Sequence, residues 1–187
     1  MGRVSGAVRM FARRIGAMVC AGLAACAHVP ATAPSIDAAA RAQREAEVAA
    51  FLDAWHEAAA RADADAYFER IAPTGVFLGT DPDERWDCAQ FRAAYGGHFA
   101  RGKAWTFRAF ARHVTIADDG GSAWFDERLR SESYGELRGT GVVVRARDEG
   151  RGAWRVMLYD LTIPIPNDLA AEVVARIRAR AAPAPDP

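Results

Sequence analysis

Two aspartates set among tryptophans are the residues of this chain best suited to chemistry. Asp126 follows Trp124 by two positions, and Asp160 lies six positions beyond Trp154. Both stretches alternate as strands do, so residues two apart share a face. In 122–131 one face carries Trp124, Asp126 and Arg128, and the other carries Phe125, Glu127 and Leu129. In 153–163 one face carries Trp154, Val156, Leu158, Asp160 and Thr162, and the other carries Arg155, Met157, Tyr159, Leu161 and Ile163. Both faces are mixed, so parity alone does not say which one lines an interior. A carboxylate enclosed by apolar walls loses hydration, its pKa rises, and it can serve as a general acid or base near neutral pH. An Arg beside it pulls the pKa back down and can instead orient an anionic or carbonyl group. Asp81 precedes Pro82, where a turn role competes with a chemical one. His98 and His113 have no partner at metal-ligand spacing, and Trp55-His56 reads as part of a helix stripe. No zinc site, phosphate loop or dinucleotide fingerprint is present, so no metal and no cofactor is expected.

The elements that must position these groups follow from periodicity and punctuation. A helix is expected from about Ala38 to Arg61, with Val48, Phe51, Leu52, Trp55 and His56 at helical spacing. Asp63 caps a second, short helix carrying Tyr67, Phe68 and Ile71, which Pro73 ends. A short strand at 75–79 leads into the turn at Thr80-Asp81-Pro82-Asp83. A third helix, near 89–99, carries Phe91, Tyr95 and Phe99. Strands are expected near 105–117, 122–131, 137–147 and 153–163, with hairpin signals at Asp118-Asp119-Gly120-Gly121 and Asp148-Glu149-Gly150. Asn167 or Asp168 caps a last helix ending near Arg180. This order predicts an α+β domain: a cone-shaped, curved antiparallel sheet wrapped on three N-terminal helices, plus a short C-terminal helix.

The N-terminal region reads as an address. Arg3, Arg9, Arg13 and Arg14 precede an uncharged run, Ile15 to Ala25, of 11 residues. That is too short to span a bilayer, which needs roughly 20, and it suits a cleaved signal. Leu23-Ala24-Ala25-Cys26 resembles the lipobox of bacterial lipoproteins, which implies lipidation at Cys26; cleavage near Ala25 without lipid is the alternative. The expected organisation is a signal at 1–25, a tether and helix start at 26–44, the cone domain at 45–167, and a final helix and tail at 168–187. A lipid anchor implies membrane attachment without a span, in the cell envelope, with Ala27 favouring the outer membrane facing the periplasm. The 24 Lys+Arg balance 24 Asp+Glu. Loss of residues 1–25 removes four Arg and no acid, leaving 20 against 24, or −4, which argues against nucleic acid as a partner. Of three cysteines, Cys20 leaves with the signal and Cys26 is acylated, so Cys88 has no thiol to pair with.

Ala72-Pro73-Thr74-Gly75-Val76-Phe77 and Trp154-Arg155-Val156, in this element order, resemble the nuclear-transport-factor-2-like superfamily. Gly79-Thr80-Asp81-Pro82-Asp83-Glu84-Arg85-Trp86, Trp124-Phe125-Asp126-Glu127, Tyr134-Gly135-Glu136 and Ile163-Pro164-Ile165-Pro166-Asn167 are similar to its SnoaL-like branch. The resemblance covers about residues 45–167. It implies that Trp124, Asp126, Leu158, Asp160 and Thr162 look into the cone, with Glu136, Arg138 and Thr140 beside them. It also implies a carboxylate near the first strand's end, where Asp81 stands. The site expected on this basis has Trp86, Trp124, Asp126, Arg138 and Asp160 as ligand-binding residues, and Asp126, Asp160 and Asp81 as catalytic candidates.

The function expected is binding of a small apolar or amphipathic molecule in the cone, with the open sheet face available for a homodimer. The alternative is a cofactor-independent isomerase, dehydratase, cyclase or hydrolase using a pocket carboxylate. The superfamily's fold does not choose between them.

Overall fold

The computed structural model describes residues 35–146 and 152–181. The expected signal, Cys26 and the Asp148-Glu149-Gly150 hairpin turn lie outside them. Asp37 caps helix α1 (Ala38–Ala60), its side chain accepting from the Ala40 amide, as N-cap aspartates do. Val48, Leu52, Trp55, His56 and Ala59 recur at three- and four-residue spacing and form its buried stripe. Asp63 caps α2 (Ala64–Phe68). Strand β1 (Ile71–Leu78) follows directly, so Pro73, expected to end a helix, stands exposed inside a strand. A short β2 (Arg85–Asp87) pairs back on β1. Asp87 then caps α3 (Cys88–Ala100), with Gln90 closing a reciprocal capping box. β3 (Arg108–Ile116), β4 (Ser122–Ser131), β5 (Gly135–Arg145) and β6 (Trp154–Thr162) form the antiparallel meander, and α4 (Ala170–Ala181) follows.

The sheet has six strands in the order β2-β1-β6-β5-β4-β3, and β1 joins β6 in parallel. Register shifts fall between Ala109 and Ala111 in β3 and between Val142 and Val143 in β5. Such bulges bend a strand and increase its twist. They curve the sheet around α1, α2 and α3, which pack on its concave face with a core rich in aromatic rings.

The β5–β6 shift also decides which side chains look inward. Val142 pairs with Leu158 while Val143 pairs with Val156, leaving Met157 as the extra residue. Trp154 and Val156 are buried before it, and Tyr159 and Leu161 after it. The buried phase therefore switches from even to odd numbers within one strand. On β4 the buried phase is Ala123, Phe125, Glu127 and Leu129, and on β5 it is Leu137, Gly139, Gly141 and Val143. This corrects the expected orientation of the even-numbered set. Trp124, 53% exposed, stands on the convex face with exposed Asp126, Arg138, Leu158 and Thr162 and half-buried Asp160.

Candidate functional site

Two carboxylates lie on the concave side, and each is bonded to a tyrosine. Glu127 comes from the centre of β4 and is 0% exposed. Its Oε1 accepts from His56 Nε2 at 2.6 Å and from the Tyr159 hydroxyl at 3.1 Å. Its Oε2 accepts from Arg112 Nε at 2.8 Å. Arg112 Nη2 stands 2.7 Å from the same oxygen, a charge contact without hydrogen-bond alignment. An ionised carboxylate only accepts, so Nε2 of His56 carries the hydrogen. Arg112 Nη1 donates onward to the Ala49 carbonyl and to Asp53 Oδ1, each at 2.8 Å.

The charges follow from these contacts. Burial by itself pushes the Glu127 carboxyl up, but the His56 hydrogen bond and charge, with Arg112, outweigh it and hold it below its ordinary value. Burial also works against the Arg112 cation, and Glu127 and Asp53 more than offset it, raising its pKa. Burial and then the Glu127 charge push the Tyr159 phenol well up, so it stays a donor. Local chain geometry makes room for this. Gly139 on β5 pairs with Glu127, and a Cβ there would stand 2.8 Å from Tyr159 Cζ. The missing side chain lets the Tyr159 ring lie across the strand and reach Glu127. The cluster thus ties α1, β3, β4 and β6 together, with both carboxylate oxygens occupied.

The second carboxylate is Glu84, in the loop between β1 and β2. Its Oε2 accepts from the Asp81 amide at 3.2 Å, and its Oε1 accepts from the Tyr95 hydroxyl of α3. A Cβ on Gly79 would overlap this carboxylate, so the glycine makes its position available. Burial, then the Glu84 hydrogen bond and charge, push the Tyr95 phenol up to about 12. The pair lines a hollow of about 340 Å³. Phe77, Phe91, Trp105, Phe107 and Leu161 supply its apolar wall, and Thr80, His98, Ser133 and Tyr134 its polar members. Aromatic walls with polar groups set among them are the composition of small-molecule sites. A second hollow of about 410 Å³ runs past Asp53, His56, Glu57, Arg61 and Arg108, with Phe107, Ala60 and Ala109 beside them.

The expected site residues fall elsewhere. Asp126 faces His113 across β3 and β4 at 3.2 Å, both exposed. Arg138 is exposed, and its carbonyl accepts from Thr162. Asp160 pairs with Thr140 in the ladder. Asp81 sits in the turn, its Oδ1 accepting from the Asp83 amide at 3.1 Å. Trp86 is half-buried on β2, edge-on to Tyr95 at 6.1 Å, with its indole N–H buried and unpartnered. Trp86, through Tyr95, and Asp81, through its amide on Glu84, are the expected members that touch the lining of the hollow. The structure does not gather these residues into one pocket. The signal for Glu127 was present in sequence: it is the single charge in the phase Ala123, Phe125, Glu127, Leu129. Glu84 carried none, because its place depends on a three-residue strand. Among the described residues, no three His, Cys, Asp or Glu side chains converge as metal ligands, and no helix is long and apolar enough to cross a membrane.

A sequence profile described as the SnoaL-like domain matches residues 48–166. No curated protein matches the chain. Among solved structures, a nuclear-transport-factor-2-like protein of unknown function from Pseudomonas putida is 18% identical, with a TM-score of 0.56, over 68% of this chain and 91% of that one. A protein from Streptomyces avermitilis, provisionally named a dehydratase of the same family, is 17% identical, with a TM-score of 0.53, over 67% and 99%. One from Parabacteroides distasonis, provisionally named a ketosteroid isomerase, is 19% identical, with a TM-score of 0.50, over 64% and 86%. At these identities the likeness concerns fold.

Proposed function

The chain belongs to the SnoaL-like domain family, and from that premise we propose that it binds a small apolar or amphipathic molecule in the hollow between Trp105, Phe91, Tyr95 and Tyr134. The observation that carries this is the hollow itself, about 340 Å³ with aromatic walls and one tethered carboxylate. A ligand there exchanges water for ring surface, at roughly 25 cal/mol per Å² of apolar area buried, and Glu84 with Tyr95 fixes its orientation. The Glu127 cluster supports the same reading by absence of free valence: both its oxygens are engaged, so it holds the cone and leaves binding to the hollow. Lipid attachment at Cys26 would place this activity at a membrane surface of the cell envelope, facing the periplasm.

The neutral fluorescent probe N-phenyl-1-naphthylamine tests the proposal. It should bind at one site per chain and raise the melting temperature. Ser133→Trp, at the exposed rim, should abolish binding while leaving unfolding unchanged. Binding that survives Ser133→Trp, or no binding to the wild type, contradicts the proposal.

One observation favours a second reading. A carboxylate bonded to a phenol in an apolar wall is a general acid–base arrangement, which suits a cofactor-independent isomerase, dehydratase, cyclase or hydrolase. In that case Glu84 does the proton transfer. Turnover of an enolisable ketone that Glu84→Gln removes would establish it, and turnover untouched by that change would exclude it.

A further inference from the structure

We propose that the hollow selects an organic cation, an amine or quaternary ammonium group carried on an apolar or aromatic body. This rests on the binding role just proposed and names the ligand class.

The lining of the hollow carries one formal charge, and it is negative. Glu84 is the acid in its lining; among the described residues no Lys or Arg lines it, and the exposed His98 is its one basic member. Glu84 is held from two sides, by the Asp81 amide and the Tyr95 hydroxyl. A carboxylate offers about four lone-pair sites and no donor. Two remain for a ligand, and they accept only from a group that donates or carries positive charge. The turn adds Asp81 and Asp83 just outside, so an anion would meet like charge at entry.

The rings supply the second half of a cation site. Tyr95 meets Trp105 at 86° with centroids 5.9 Å apart, and meets Phe91 at 62° and 5.1 Å. Phe91 and Trp105 are nearly parallel, 25° apart. Phe91 is almost wholly buried behind them, so the ring surface that the hollow presents is that of half-buried Tyr95 and Trp105, in two nearly perpendicular orientations. A cation over such a ring is attracted by its quadrupole, by ~0.5–2 kcal/mol, more as water is excluded. A ring wall with one fixed carboxylate and no competing Lys or Arg combines charge recognition with apolar burial. Neither half by itself distinguishes a cation from a neutral hydrocarbon so strongly.

The test compares phenyltrimethylammonium with its uncharged carbon isostere, tert-butylbenzene, which has the same shape. Binding is read by tryptophan fluorescence and by the melting temperature of the full chain. The cation should bind about tenfold more tightly. In Glu84→Gln that preference should fall to about twofold or less. Equal affinity of the two probes for the wild type overturns the cation inference and leaves the binding role standing. No binding of either probe overturns both. A preference that persists in Glu84→Gln removes Glu84 from the explanation and overturns the inference as stated. Should that variant fail to fold, the wild-type comparison of the two isosteres still decides.

Discussion

Glu127 and Glu84 are each a carboxylate bonded to a tyrosine hydroxyl, yet the two regions do different work. Glu127 accepts from His56, Tyr159 and Arg112 and has no exposed surface. Glu84 accepts from one phenol and one amide and lines an open hollow. What separates them is how many donors the fold supplies. A saturated buried charge fixes the geometry around it, since removing one partner strands the others. An unsaturated charge at a cavity wall keeps acceptor capacity for something that is not part of the chain. The same side-chain chemistry therefore reads as scaffold in one place and as site in the other.

The largest break in this comparison should come from Glu127→Gln. It leaves the buried Arg112 with only the exposed Asp53 as counter-charge, at a cost of about 3–5 kcal/mol in urea unfolding. The same variant should alter the acid limb. The folded-state pKa of Glu127 is depressed, so its contribution is present above the ordinary Glu value of 4.5. It is lost as pH falls below that and through the folded value. Wild-type stability should drop steeply below pH 4.5, and Glu127→Gln should show a shallower drop.

Gly139→Ala comes next. It pushes the Tyr159 ring off Glu127 and should cost about 1–3 kcal/mol as an overpacking change. Tyr95→Phe should cost about 1 kcal/mol or less, the range of one hydrogen bond. Glu84→Gln, followed by ultraviolet titration of the phenols, should bring Tyr95 down from about 12 only part of the way to 10, because burial remains its largest cause. The smallest effect should be that of Asp126→Asn on the convex face. It should change stability by no more than about 0.5 kcal/mol and leave probe binding alone. A large loss of probe affinity there would return the site to the face with Trp124.

Much of the fold was legible in the sequence, and most of the site was not. The α1 stripe, the Asp63 cap and the four meander strands follow from period and punctuation, and the structure has each of them. The β2 strand was not foreseen, since three residues carry no period. The parallel β1–β6 contact joins residues about 80 apart, and no local pattern encodes it. The facing of side chains was lost at one position. The extra residue Met157 switches the phase of β6, so the alternation that grouped Trp154 with Asp160 does not hold across the bulge. On β4 the resemblance favoured the phase of Trp124 and Asp126, and burial follows the phase of Phe125 and Glu127. His56 was expected on the apolar stripe of α1, and it lies there, buried and bonded to Glu127. The Glu84–Tyr95 pair needed the β1–β2 hairpin to bring a loop acid to α3, which only the folded chain shows.

The binding claim is tested most directly by a crystal structure of the domain with N-phenyl-1-naphthylamine bound. The naphthyl ring should lie against Trp105 and Phe91, with the amine within hydrogen-bond reach of Glu84. Probe seated on Trp124 of the convex face, or in the hollow beside Asp53 and Arg61, would contradict that claim.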